Sequence, residues 1–239
     1  YHFMRLYKYL LFVPLVTFLS CGNDDGDENN TVDYKQEMRN FVQAISTYAK
    51  NLDNDFFIIP QNGQELVTDN GDTDGYPETT YLNSIDGVGR EDFFYGYNDD
   101  DEQTPKAETD YMMVFLDVCE ENLVEVLVTD YCSTREKVDV SYAKNNLKNY
   151  ISFAAPEREL NVIPDYPEEP INVNTKNITS LSEAQNFLYL INPEDYASKS
   201  NFITALSETN FDIVIIDFFF NEEEFTSSEI NILKTKNNG

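Results

Sequence analysis

The sequence predicts an α/β protein built on a parallel sheet, and three observations carry that prediction. Short apolar runs ("FFII" at 56–59, "EVLVTDYC", "YISFAA", "NFLYLI", "DIVIID") end in polar residues, as buried strands do where the chain leaves the core. Segments of helical periodicity, roughly 10 to 15 residues each, separate them, the alternation that produces right-handed βαβ units. The length of 239 residues, with 41% hydrophobic and 14% aromatic content, suits one globular domain with a sizeable core. Strands that each end in hydrogen-bonding side chains point further, to a (β/α)8 TIM-type barrel, where the carboxyl ends of the strands face the substrate.

The elements follow in order. Residues 1–20 read as a secretion signal: Arg5 and Lys8, then an apolar run from Tyr9 to Phe18 that is short for a membrane span. Residues 21–34, rich in Asp and Asn, read as a flexible acidic tether. In "KQEMRNFVQAISTYAKNL", Met38, Phe41, Val42, Ile45, Tyr48 and Ala49 recur at helical spacing and predict a helix with that face in the core. Phe56 to Ile59 follow as a buried strand, closed by Pro60 and the polar run Gln61, Asn62, Gly63, Gln64, Glu65. A weaker strand spans Ile85 to Val88 and ends in Arg90, Glu91 and Asp92. Helices are expected over 108–121, 138–149 and 196–208, with strands at "EVLVTDYC", "YISFAAPEREL", "NFLYLI" and "DIVIIDFFF". Residues 161–183, rich in Pro, Glu and Asn, read as a linker. A last helix opens at "TSSEINILK", where Thr226 and Glu229 have capping-box spacing.

Composition narrows the chemistry. A formal charge of −28 repels phosphate backbones, so nucleic acid is a poor partner, and a cationic ligand would be drawn in. The same acidity also serves simple solubility. The single histidine, His2, lies in the segment expected to be cleaved, which excludes Ser-His-Asp and Cys-His catalysis and histidine zinc sites. Cys119 and Cys132 lack CxxC spacing and read as two buried free thiols, one in a helix and one at a strand end. "NGDTDGYPETTY" approaches a calcium loop, but Tyr81 stands where the closing glutamate belongs. No metal and no cofactor is expected. Catalysis would rest on carboxylates, amides, tyrosines and hydroxyls.

Two resemblances enter here. "LSC" and the apolar run before it resemble the lipobox of bacterial lipoproteins, with Phe18 where leucine is more usual. That implies lipid attachment at Cys21, a membrane anchor, and an exported outer-membrane or cell-surface location. "RNFVQAISTYAK", "FFIIPQNGQEL", "YLNSIDGVGREDFFYG", "VLVTDYC" and "ISFAAPEREL" together resemble the barrel domain of glycoside hydrolase family 114, which includes endo-α-1,4-polygalactosaminidases. "NFLYLI" and "FDIVIIDFFFNEEEFTSSEINILK" are similar to the first two strand–helix units of the same domain. Residues 35–160 then correspond to family strands six to eight and residues 184–239 to strands one and two. That order implies a circularly permuted barrel holding about five of its eight units, truncated before strand three.

The resemblance implies a pair of carboxylates flanking a glycosidic bond, one protonating the leaving oxygen and the other acting as nucleophile or base. Glu91 is the expected proton donor. Its partner is expected on family strand five, which these residues do not include. Gln61, Asn62, Asp130 and Tyr131 are expected to hydrogen-bond the sugar, Asp217 to bind substrate hydroxyls or an amine, and Phe94 or Tyr95 to stack on a ring or pack in the core. The implied partner is a polysaccharide, a cationic galactosamine polymer in the first instance. The alternative is a surface protein that binds glycan on a degenerate barrel without cleaving it.

Overall fold

The computed structural model describes residues 32–236. The expected signal segment, His2, the lipidation site Cys21 and nearly all of the tether lie outside the described residues. Helix α1, Tyr34–Leu52, opens the fold with Asp33 as its cap, the carboxylate accepting from the Gln36 amide at 3.0 Å. A 3-10 turn, Gln64–Val67, and a short helix α2, Thr79–Leu82, lead to strand β1, Gly87–Glu91. Then come α3, Lys106–Glu121; β2, Glu125–Tyr131; α4, Arg135–Leu147; and β3, Ile151–Ala155. After an irregular stretch follow β4, Phe187–Leu190; α5, Lys199–Ser207; β5, Ile213–Ile216; the hairpin β6, Phe219–Phe220, with β7, Glu223–Glu224; and α6, Ser227–Lys236. The capping box at the start of α6 is formed: Glu229 accepts from the Thr226 amide at 2.7 Å, and its own amide donates to Thr226 Oγ1 at 3.3 Å.

The α/β alternation is present, but the TIM-type barrel is not. The parallel strands form a three-stranded sheet in the order β1-β2-β3 and a separate two-stranded sheet β4-β5, and β6-β7 is an antiparallel pair. Across the described residues β3 packs beside β4 without a hydrogen-bonded ladder, and the sheets do not close. Five short parallel strands are too few to surround a packed interior, which takes about eight.

Two further expectations are corrected. Phe56 to Ile59 do not form a buried strand. The segment runs alongside β1, with Ile58 O accepting from Asp86 N and Pro60 O from Gly89 N, but Pro60 brings no N–H and only Gln61 makes a β-bridge, to Gly89. Ile58 is buried while Phe56 and Phe57 are exposed. Helix α1, in turn, packs through only one edge of the face its apolar pattern predicts, rotated by about a quarter turn about its axis. Arg39 is 2% exposed and donates to the carbonyls of Leu66, Thr68 and Asp69, Lys50 pairs with Asp86 at 2.9 Å, and Lys35 reaches Asn70 O. Those contacts turn Val42 and Ala49 toward the core and leave Met38, Phe41, Ile45 and Tyr48 in solvent.

Side-chain alternation along β2 organises the interior. Val126 and Val128 pack with Val88, Phe93, Phe115 and Leu116 toward α3, while Leu127 and Tyr131 join Phe153, Phe187, Leu188 and Phe202 on the other face. Cys119 and Cys132 are free and buried, and burial pushes both thiols up, Cys119 to about 12. The irregular residues 161–183 are packed in part: Leu181 is buried, and Asn174 bonds Asp212 at 2.8 Å. Tyr81 is also in the core, so it does not close a cation loop.

Candidate active site

The carboxyl ends of β1 and β2 and the turn after Pro60 converge on Glu91. β1 pairs with β2 in register, Glu91 beside Thr129, which brings Tyr131 of the longer strand within reach. Tyr131 donates to Glu91 Oε1 at 2.6 Å and Asn62 Nδ2 donates to Oε2 at 2.9 Å. The Glu91 amide donates back to Asn62 Oδ1 at 3.3 Å, which fixes which end of the Asn62 amide meets the carboxylate. Asn62 and Asp92, on either side of this contact, both have left-handed backbones, φ 58 and φ 59, a conformation that Asn and Asp tolerate best after glycine. Such positions are found where a turn must aim a side chain at a site.

Glycine opens the space. Gly87, Gly89 and Glu91 alternate onto one face of β1, and a Cβ on Gly89 would lie 1.8 Å from Gln61 Oε1. Gln61 can therefore lie across the strand beside Glu91.

Arg158, just beyond β3, ties the surroundings together. Its guanidinium stacks 4.0 Å from the Tyr131 ring centroid and donates to Asp100 Oδ1 at 2.9 Å, Asp92 Oδ1 at 3.1 Å and Gly96 O at 2.6 Å. Burial by itself would lower the Arg158 pKa, but Asp92 and Asp100 raise it overall. Asp92 is pushed up, chiefly by burial and further by the charge of Glu91, against the pull of Arg158. Burial, then the hydrogen bond to Glu91, drives Tyr131 far above the usual phenol range, so it stays protonated. Tyr189 on β4 is raised by burial and then by the Glu91 charge, which brings the second sheet into the electrostatic reach of the site. Arg90, half-buried and lowered by burial, donates to Gln64 Oε1 at 3.0 Å. A surface hollow of about 420 Å³ adjoins the network, lined by Gly96, Tyr97, Asn98, Asp99, Asp100 and Arg158.

Of the residues expected at the site, the structure joins Glu91, Asn62 and Tyr131 directly and places Gln61 beside them. Tyr131 is 2% exposed and its hydroxyl is committed to Glu91, so it supports the carboxylate instead of meeting a sugar from solution. Asp130 points to the opposite face of β2. It is fully buried and accepts from Phe94 N at 2.7 Å, Tyr95 N at 3.2 Å, Ser141 Oγ at 2.6 Å and Asn145 Nδ2 at 3.1 Å, a structural assignment with no lone pair left for substrate. Asp217 is exposed at the end of β5, where it accepts from the Phe219 amide at 3.0 Å. Tyr95 is in the core, and Lys144 lies over the rings of Phe94 and Tyr95. Arg158, Asp92 and Tyr189 were not anticipated. Arg158 and Asp92 carry the same signal as Glu91, a polar residue just past the end of an apolar run, whereas Tyr189 sits inside its run and had no such signal.

No family model matches the chain. Over 130 residues it is 32% identical to an uncharacterized protein of Methanocaldococcus jannaschii, a match that covers 54% of this chain and 34% of that protein. The chain thus spans about a third of the length of this relative.

Proposed function

We propose that this chain carries part of the sugar-binding and acid–base machinery of an exported, lipid-anchored glycoside hydrolase acting on an amino-sugar polymer, of the endo-α-1,4-polygalactosaminidase kind. The observation that carries the reading is the hold on Glu91: a carboxylate at a strand end with each oxygen engaged by a different, oriented donor. Because Asn62 Nδ2 is fixed on Oε2, a proton on Glu91 belongs on Oε1. The 2.6 Å contact to Tyr131 suits it in either direction, since a phenol both donates and accepts. Proton transfer to a leaving glycosidic oxygen would pass through Oε1. The formal charge of −28 favours a polymer bearing ammonium groups.

The test is release of reducing ends from partly deacetylated α-1,4-galactosaminan by the wild-type chain and by Glu91→Gln. The amide keeps the shape and both contacts, and the expected loss is on the order of 10²- to 10⁴-fold, the range for a general acid. Full activity in Glu91→Gln would remove Glu91 from the chemistry.

One observation favours the non-catalytic alternative. Asp130 is buried on the far face of β2, Asp217 bonds elsewhere, and Asp92 is bound to Arg158, so no second free carboxylate meets Glu91 among the described residues. Retention of the polymer without new reducing ends, in both proteins alike, would select glycan binding.

A further inference from the structure

Two stripes run down α1, and only one of them is used. The inner stripe, Lys35, Arg39, Val42, Ser46 and Ala49, is the one that meets the body of the protein. The outer stripe is Tyr34, Met38, Phe41, Ile45, Tyr48 and Leu52, with exposures between 42% and 80%. Its spacing alternates between four and three residues along the whole helix, the repeat of a coiled-coil seam. A seam of that kind in solvent is half of an interface.

The arrangement of the stripe suits a second copy of the same helix. Tyr34 and Leu52, Met38 and Tyr48, and Phe41 and Ile45 are pairs equidistant from Gln43. An antiparallel copy of the same helix, centred on Gln43, therefore sets every seam residue of one copy opposite a seam residue of the other. Self-complementarity of this sort is the requirement of a two-fold interface. Charge agrees along the seam: Lys35 and Lys50 turn inward to Asn70 and Asp86, and Arg39 is buried, so no cation opposes a cation there. With large side chains of roughly 200 Å² each, the exposed fractions of the six seam residues correspond to on the order of 750 Å² per copy, close to the roughly 800 Å² per partner of a standard interface.

We propose that α1 is the contact surface for a second copy of this chain, in an antiparallel helix pair about a two-fold axis at Gln43. Asp33 of one copy then faces Asp53 of the other at the ends of the pair, and each copy carries −28, so added salt strengthens the association.

Sedimentation equilibrium of the full chain at micromolar concentration tests this. The expected mass is twice 27.6 kDa, with tighter association at 0.5 M than at 0.05 M salt, concentrations on the order of those that collapse and extend the screening length. Phe41→Glu with Ile45→Glu, both at exposed positions, is expected to return the mass to that of one chain, while Phe218→Glu, at an exposed aromatic elsewhere, leaves the dimer intact. A single-chain mass for the wild type would overturn the proposal, as would association that survives the double substitution or is lost equally in Phe218→Glu. A wild type that becomes dimeric only when a different protein is supplied would assign the seam to that partner instead.

Discussion

Replacing Asp130 by alanine strands four donors in the interior. The amides of Phe94 and Tyr95, at 2.7 and 3.2 Å, belong to the backbone and have no freedom to seek another acceptor. Each buried amide left unpaired costs about 1–3 kcal/mol. Ser141 and Asn145, at 2.6 and 3.1 Å, can turn, so they add less. The sum is about 3–5 kcal/mol out of the 5–15 kcal/mol that holds a domain together. With a urea slope of about 1–3 kcal/mol per molar, the midpoint falls by at least about 1 M. Asp130→Asn makes a sharper test. Asn145 Oδ1 has no partner, so its amide can rotate to accept from the new NH2 group, and Ser141 can accept as well, which limits the cost to about 1–2 kcal/mol. Urea unfolding of the three proteins reads both numbers. An alanine variant within 1 kcal/mol of wild type, or an asparagine variant as damaged as the alanine one, would refute the assignment of Asp130 as a structural acceptor.

Two pH dependences follow from other carboxyls. Burial would raise Asp101, but hydrogen bonds from the amides and hydroxyls of Thr134 and Ser133 outweigh it and hold the carboxyl at about 2. A depressed folded pKa stabilises above the unfolded value and fades below it. The stability gap between wild type and Asp101→Ala should therefore be widest near neutral pH and close between about pH 4 and pH 2, as read by urea midpoints across that range. Glu120 has the opposite sign, raised to about 7 by burial and then by the Glu125 charge, with Oε1 unpartnered. Its contribution is complete below the ordinary carboxyl range and is lost as pH rises through 7. Glu120→Gln should match wild type near pH 4 and be the more stable protein near pH 8, and equal gaps at the two pH values would contradict the cause.

The alternation of elements was legible because periodicity is a local property. β2 falls within "EVLVTDYC", β4 within "NFLYLI", and the α6 cap on Thr226 and Glu229. What failed was long-range. Closure of a sheet depends on how many strands meet, which no single apolar run encodes, and the barrel did not form. The α1 pattern was read as a core face because apolar periodicity carries no information about which side of the helix the body occupies. That was decided by Arg39, through carbonyls some 30 positions away in sequence. At the site, Glu91 and Asn62 were visible as polar residues after strands. Asp130 and Tyr131 carry the same signal, and their opposite fates depend on strand alternation at the end of β2.

That alternation also couples the fold to the site. Asp130 looks toward α4 and fixes the amides of Phe94 and Tyr95, while Tyr131, its neighbour, looks the other way and meets Glu91. Between these two contacts the chain from Asp92 to Tyr95 is laced to β2: Asp92 N donates to Thr129 O, and Tyr131 N to Tyr95 O. Asp92 is in turn held by Arg158, which stacks on Tyr131. Glu91 is thus positioned by a closed circuit of contacts, half of them in the interior and half at the mouth of the site. A site built this way is rigid because it shares its supports with the core. For the same reason, removing the Asp130 carboxylate is expected to loosen the Phe94 and Tyr95 amides and with them the support of Glu91.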